Sequence, residues 1–259
     1  MSSPAEVRIL NVCQKVWIAQ SQQSRVEIMI SQTMQQRVQS VQERIRLACE
    51  RVGRDPSHVS ILPVSKTFPV ESIEQAVSLG FSRFGENRPQ EVVRKAPLLQ
   101  HLDVQWVVIG QVQTNKAKDV ARWASELQSL DRISLAEALQ RRLEPLERTL
   151  DVLVQVKTSP EDSKSGLPAS ELMPLLRQLE AFPNLRLKGL MTLAVLSDDP
   201  QPVRDCFRML VRCRQEALDA GIDPQCLERL SMGMSADLEL AVEEGSTEVR
   251  VGTAIFGVR

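Results

Sequence analysis

Short apolar runs recur eight times along this chain, near residues 59–64, 82–84, 105–109, 126–129, 151–156, 187–190, 227–230 and 247–251. Between them lie stretches with amphipathic helical spacing: Val70 to Leu79, Pro89 to Leu99, Asn115 to Trp123, Leu135 to Leu146, Ala169 to Leu179, Pro202 to Ala220 and Ala236 to Glu243. A continuous apolar run is the pattern of a strand buried on both faces, and a helix between successive strands is the crossover that parallel pairing requires. Eight such units in roughly 200 residues, with no long interruption, predict a closed (β/α)8 barrel rather than an open doubly wound sheet.

An additional helix is expected ahead of the barrel. From Met34 to Arg51 the apolar positions Val38, Val41, Ile45, Leu47 and Ala48 share one face, and Gly53 with the Asp55-Pro56 turn stops the pattern. Residues 1–33 are rich in Gln and Ser, with Val12, Val16 and Ala19 as one weak apolar face. They read as an appended extension, a loosely attached helix or disorder, so that residues 34–259 form the barrel domain.

Composition removes several function classes. With 32 basic and 33 acidic side chains the net charge is -1, so no overall charge drives binding to nucleic acid or an anionic membrane. No stretch approaches the ~20 apolar residues of a membrane span. Cys13, Cys49, Cys206, Cys213 and Cys226 contain no Cys-x-x-Cys pair, which argues against a disulfide framework or a zinc site and for a reducing cytoplasm. Cys206 and Cys213 read as small core-facing residues of one helix. Only His58 and His101 are present, too few for a histidine-ligated metal or a histidine triad. No metal site is expected. Tyrosine is absent, so no phenol can act as an acid or base.

In a parallel barrel the chemistry sits on the loops that follow the strands. Those loops carry Ser65-Lys66-Thr67, Gly85-Glu86-Asn87, Gly110-Gln111 with Thr114-Asn115-Lys116, Ser163-Lys164-Ser165-Gly166, Gly189-Leu190-Met191-Thr192, Ser231-Met232-Gly233-Met234-Ser235 and Gly252-Thr253. Lys66 ends an apolar run and is expected to be buried there. Burial lowers a lysine pKa and prepares the amine for a Schiff base. A lysine snorkelling from a strand end is the commoner outcome for such a residue taken alone. Ser235 is placed to cap a helix beginning at Ala236, and Gly233 lets the backbone approach a ligand. With Gly252-Thr253 this makes a candidate phosphate cradle of the last two loops, or else ordinary turn and cap chemistry. Arg250 lies between Val249 and Val251, so alternation turns it toward the barrel mouth, the competing orientation being outward into solvent.

These motifs in this order resemble the YggS/PROSC family of pyridoxal phosphate (PLP) homeostasis proteins, whose barrel is similar to the N-terminal domain of alanine racemase. The resemblance runs from about Met34 to Arg259. It implies a single TIM barrel of PLP fold type III, with Lys66 forming the internal aldimine and Arg250 facing the pyridine nitrogen. It also implies that Ser235, Gly252 and Thr253 hold the phosphate, that Asn87 and Met191 lie beside the ring, and that Ser231 joins the phosphate shell. Two departures stand out: Val107 follows Trp106 where family members carry His, and Arg88-Pro89 follows Asn87 where an aromatic is common.

The same resemblance implies a protein that buffers or delivers PLP and so affects vitamin B6 and amino-acid balance, with apo PLP-dependent enzymes as candidate recipients. A PLP-dependent amino-acid racemase is the alternative. Racemisation needs an acid or base on each face of the cofactor, and alanine racemase takes the second from a tyrosine of a further domain. This chain has no tyrosine and no such domain after the barrel, so no catalytic residue is assigned and a monomer is expected. Lys164 could touch PLP during transfer, although an ordinary solvated lysine is the commoner reading.

Overall fold

The computed structural model describes residues 33–161 and 165–258. The expectations for residues 1–32 and for Lys164 lie outside them. Helix α1 (Met34–Arg51) precedes strand β1 (Ser60–Pro63), followed by α2 (Val70–Ser78), β2 (Arg83–Glu86), α3 (Pro89–Lys95), β3 (Gln105–Val108), α4 (Ala117–Trp123) and β4 (Glu126–Leu130). Next come α5 (Ile133–Leu143), β5 (Leu150–Lys157), the two-residue β6 (Leu167–Pro168), α6 (Leu172–Leu179), β7 (Leu185–Met191) and α7 (Pro200–Asp219). The last elements are β8 (Arg229–Met234), α8 (Leu238–Glu243), β9 (Glu248–Val251) and α9 (Thr253–Phe256).

All pairings are parallel and each barrel strand lies beside its neighbour in sequence, in the order β1-β9-β8-β7-β5-β4-β3-β2, with β6 a side strand on β5. A parallel bridge between Val64 and Gly85 closes the ring, with the Ser65 N–H donating to the Gly85 carbonyl at 3.0 Å. The expected eight-stranded barrel is therefore present.

Two cores follow from the strand alternation. Outward-facing residues such as Phe84, Val108, Leu127, Val152 and Val249 join the inner faces of the helices in one continuous apolar cluster. Leu62, Val64, Val107, Leu153 and Met191 are buried apart from it, inside the ring.

Helix α1 is an integral part of the outer layer. Met34, Val38, Val41, Ile45, Ala48 and Cys49 are buried in the common cluster, and Arg44 reaches Glu239 of α8 through two bonds of 2.6 and 2.8 Å. The final unit ends in a helix of only four residues, and α1 packs over it, with Arg37 Nε donating to the Ile255 carbonyl at 2.7 Å. Thr33 belongs with this helix rather than with the segment before it. Its hydroxyl accepts from the Gln36 N–H at 3.3 Å while Gln36 Oε1 accepts from the Thr33 N–H at 2.9 Å, a reciprocal capping box.

Three boundaries depart from the sequence pattern. The expected helix to Leu99 stops at Lys95 and continues as a 3-10 turn, because Pro97 has no N–H to donate. The seventh barrel strand, expected to end near residue 230, runs on to Met234 with a register shift after Ser231 and Gly233 at φ +95°. The following helix starts at Leu238, not Ala236. The Asp237 carboxylate accepts from the Met234 N–H at 2.5 Å and holds residues 234–237 in a turn, so Ser235 is not a helix cap.

Candidate cofactor site at the barrel mouth

The expected site residues all lie at the C-terminal ends of the barrel strands or in the ring just below. Lys66 lies in a turn beyond β1, where the Phe68 N–H donates to the Ser65 carbonyl at 3.1 Å. Its side chain is exposed, which corrects the expectation of a buried lysine. The strand ends at Pro63 and the chain leaves the barrel wall after Val64, so the run that looked like a buried strand is shorter than its apolar character. Thr67 follows at φ +65°, a left-handed conformation that non-glycine residues adopt at a cost.

Arg250 is oriented as the alternation predicts. It is 3% exposed, with Nη1 donating to the Ser231 carbonyl at 2.7 Å and to Ser231 Oγ at 2.8 Å, while Nη2 donates to the Thr192 carbonyl at 2.7 Å. Burial pushes its pKa down to about 10, opposed by the charges of Glu248 and Asp237. The guanidinium therefore stays charged at neutral pH, although its direct protein partners above are neutral oxygens. Ser231 lies within β8 rather than in a loop, and its hydroxyl points inward. Met191, fully buried at the end of β7, is in register with Ser231 on one side and Gln155 on the other.

The rim residues sit on four loops. Asn87 is exposed just beyond β2, and its carbonyl oxygen would lie 2.1 Å from a Cβ at position 110, so only glycine lets these two loops meet. Gly252 packs beside Val64, where a Cβ would lie 3.4 Å from the Val64 carbonyl oxygen. Thr253 is exposed at the start of α9, and Ser235 is half-buried with its carbonyl accepting from Arg44 Nη2 at 2.9 Å. Arg250 and Ser231 are thus in direct contact, Met191 neighbours Ser231, and Gly252 adjoins the root of the Lys66 turn. Asn87, Ser235 and Thr253 lie on separate loops, just beyond the C-terminal ends of β2, β8 and β9.

Sequence reasoning missed the support beneath Arg250. Ser231 Oγ donates to Gln128 Oε1 at 2.7 Å, and Gln128 Nε2 donates to Glu126 at 2.8 Å and to Glu248. Arg83 bridges those carboxylates at 2.7 Å each, and Arg229 reaches Glu126 at 2.8 Å. A hydrogen-bonded column therefore runs up the barrel axis to Arg250. Its signal was present as polar residues at alternate strand positions, Glu126 with Gln128 and Glu248 with Arg250, which in a barrel must share the interior. Asp237 is also near Arg250. Burial raises its carboxyl pKa, while the Met234 N–H and Arg250 oppose that.

A parallel barrel with one lysine turn, one buried arginine and small or hydroxyl-bearing residues around a single mouth defines a class, and the family model described as alanine racemase, N-terminal domain, matches residues 37–259. Homologues called pyridoxal phosphate homeostasis protein are 40% identical in Aquifex aeolicus, over 86% of this chain and 97% of that one, and 39% identical in Escherichia coli K12, over 85% and 94%. The chain belongs to the pyridoxal phosphate homeostasis protein family. Among solved structures, PipY of Synechococcus elongatus with PLP bound superposes with a TM-score of 0.73 at 36% identity, covering 84% of this chain and all of that one (100%). Alanine racemase of Clostridium difficile, at 14% identity and TM-score 0.66 over 84% of this chain and 55% of that one, shares the fold.

Proposed function

We infer that this protein binds PLP through Lys66 and serves the homeostasis of that cofactor, holding and releasing it rather than using it for turnover. The observation that carries the reading is the PLP-bound relative, PipY, whose whole length (100%) is matched at 36% identity. The residues present fit the group. PLP brings an aldehyde, a ring nitrogen and a phosphate, and the mouth offers an amine at Lys66, a charged donor at Arg250, and the small or hydroxyl-bearing residues Ser235, Gly252 and Thr253 on the last two loops.

Bound PLP supplies an aldehyde that condenses with an amine and activates attached amino acids. In this chain Lys66 would provide that amine and Arg250 would donate to the ring nitrogen. An arginine with a pKa of about 10 keeps its own proton at neutral pH and so keeps the nitrogen unprotonated, which weakens the ring as an electron sink. Asn87 and Met191 would flank the ring, while Ser231, expected in the phosphate shell, would instead orient Arg250 from below, since its carbonyl and hydroxyl both accept from Nη1. The absence of tyrosine removes the residue that supplies the second proton-transfer group in alanine racemase. Apo PLP-dependent enzymes are the proposed recipients, in the cytoplasm, and the protein is proposed to act as a monomer.

Purified protein mixed with PLP should gain the visible absorbance of an imine, and Lys66→Ala should abolish it. Incubation with L-alanine should leave the enantiomer unchanged. Robust conversion to the D form that is lost in Lys66→Ala would replace homeostasis with racemisation.

A further inference from the structure

The segment that supplies Asn87 also contains Glu86, for which the site above has no use. Glu86 is the last residue of β2, and because Arg83 reaches into the barrel, alternation turns Glu86 outward toward α3. It is fully buried. Its Oε1 accepts from Ser65 Oγ and from Lys95 Nζ, both at 2.7 Å. Lys95, the last residue of α3 and 2% exposed, donates again to the Ser65 carbonyl at 2.9 Å and lies 3.6 Å from Glu91. The Phe68 N–H donates to that same carbonyl at 3.1 Å, and the Ser65 N–H to Gly85 at 3.0 Å.

Every polar group of Ser65 is therefore held, and its carbonyl belongs to the peptide that joins it to Lys66. Fixing that peptide fixes where the Lys66 backbone begins. One residue further on, Thr67 at φ +65° costs on the order of 1 kcal/mol and persists only because its surroundings hold it. A buried ion pair is a poor fastener for a helix, since apolar side chains of equal volume do as well or better. Glu86 Oε2 has no hydrogen-bond partner among the described residues, and burial raises the Glu86 pKa against the pull of Lys95 and Ser65. What the pair supplies, and an apolar pair could not, is a set of directed bonds onto Ser65.

We propose that Glu86 and Lys95 are positioning residues that orient the Ser65–Lys66 peptide so that the Lys66 amine meets an incoming aldehyde, an inference that rests on Lys66 being the tether. Attachment joins Nζ to the aldehyde carbon and releases the carbonyl oxygen as water. The pair sets the geometry of that step and takes no proton in it.

The test is made on the full chain with PLP itself. Samples are quenched with borohydride at intervals and labelling of Lys66 is followed by mass spectrometry. Lys95→Met should slow labelling about tenfold, the weight of one lost charge-assisted bond. Ser65→Ala, which keeps the ion pair but loses the hydroxyl's bond to the Glu86 carboxylate, should also slow it by about tenfold, as for a bond to an ionised acceptor. Lys95→Arg, retaining charge and donors, should recover most of the rate. In a Lys66→Ala background, adding Lys95→Met should leave residual PLP affinity by equilibrium dialysis within about twofold, well inside the tenfold that 1.4 kcal/mol represents. Wild-type labelling rates in Ser65→Ala and in folded Lys95→Met would overturn the proposal, as would an equal loss of affinity in the Lys66→Ala background. Should Lys95→Met fail to fold, Ser65→Ala decides. No labelling of Lys66 in the wild type would overturn the tether reading, and this one with it.

Discussion

At the scale of single residues, Arg250 shows how far a chain can be read and where reading stops. Its direction followed from Val249 and Val251 on either side, because strand geometry allows only two faces. Its surroundings did not follow, since Gln128 and Glu126 come from a strand more than a hundred residues away in sequence. Lys66 shows the opposite error: an apolar run predicted burial, but a strand ends where its partner ends, and β1 loses its neighbours after Val64. Arg250→Ala should weaken PLP binding by about tenfold or more, the weight of a charge-assisted bond, and shift the imine absorbance without abolishing it. Unchanged affinity and spectrum on titration with PLP would remove Arg250 from the site.

At the scale of elements, the centres of strands and helices were legible and their ends were not. Periodicity reports which face is apolar, whereas an end is decided by single hydrogen bonds. Asp237 delayed α8 by accepting from Met234, and Thr33 set the start of α1 through its capping box. Thr33→Ala should lower stability by ~1 kcal/mol in urea unfolding, the usual worth of such a cap. Helix α8 is tied to its neighbours by Arg51 and Arg204 on Glu243 and by Arg204 and Arg208 on Glu244. Burial opposes the charge of both glutamates, but these arginines outweigh it and hold both pKa values below the usual 4.5. A carboxyl depressed in the folded state adds stability that is present above its unfolded pKa and lost as pH falls through the folded one. The stability gap between wild type and Glu243→Gln/Glu244→Gln should therefore be present at pH 7 and shrink below pH 4.5. Urea midpoints across that range measure it, and a constant gap would contradict the ion-pair origin.

For the whole molecule, eight alternating units were enough to give the barrel, because parallel strands with short helical crossovers and no free edge have few other solutions. The role of α1 was not legible from its own sequence. It became clear only once the last unit was seen to end in a four-residue helix that α1 covers. The candidate site residues could be proposed because a barrel gathers its post-strand loops at one mouth. The axial column and the Glu86–Lys95 pair were missed because they depend on which side chains meet across strands and between strand and helix. The central claim is that one lysine at that mouth is where PLP is held. Borohydride reduction of the PLP-loaded protein, followed by peptide mass mapping, tests it most directly: the account predicts a single stable label on Lys66. A label on Lys116, Lys157 or another lysine, with Lys66 unmodified, would contradict it.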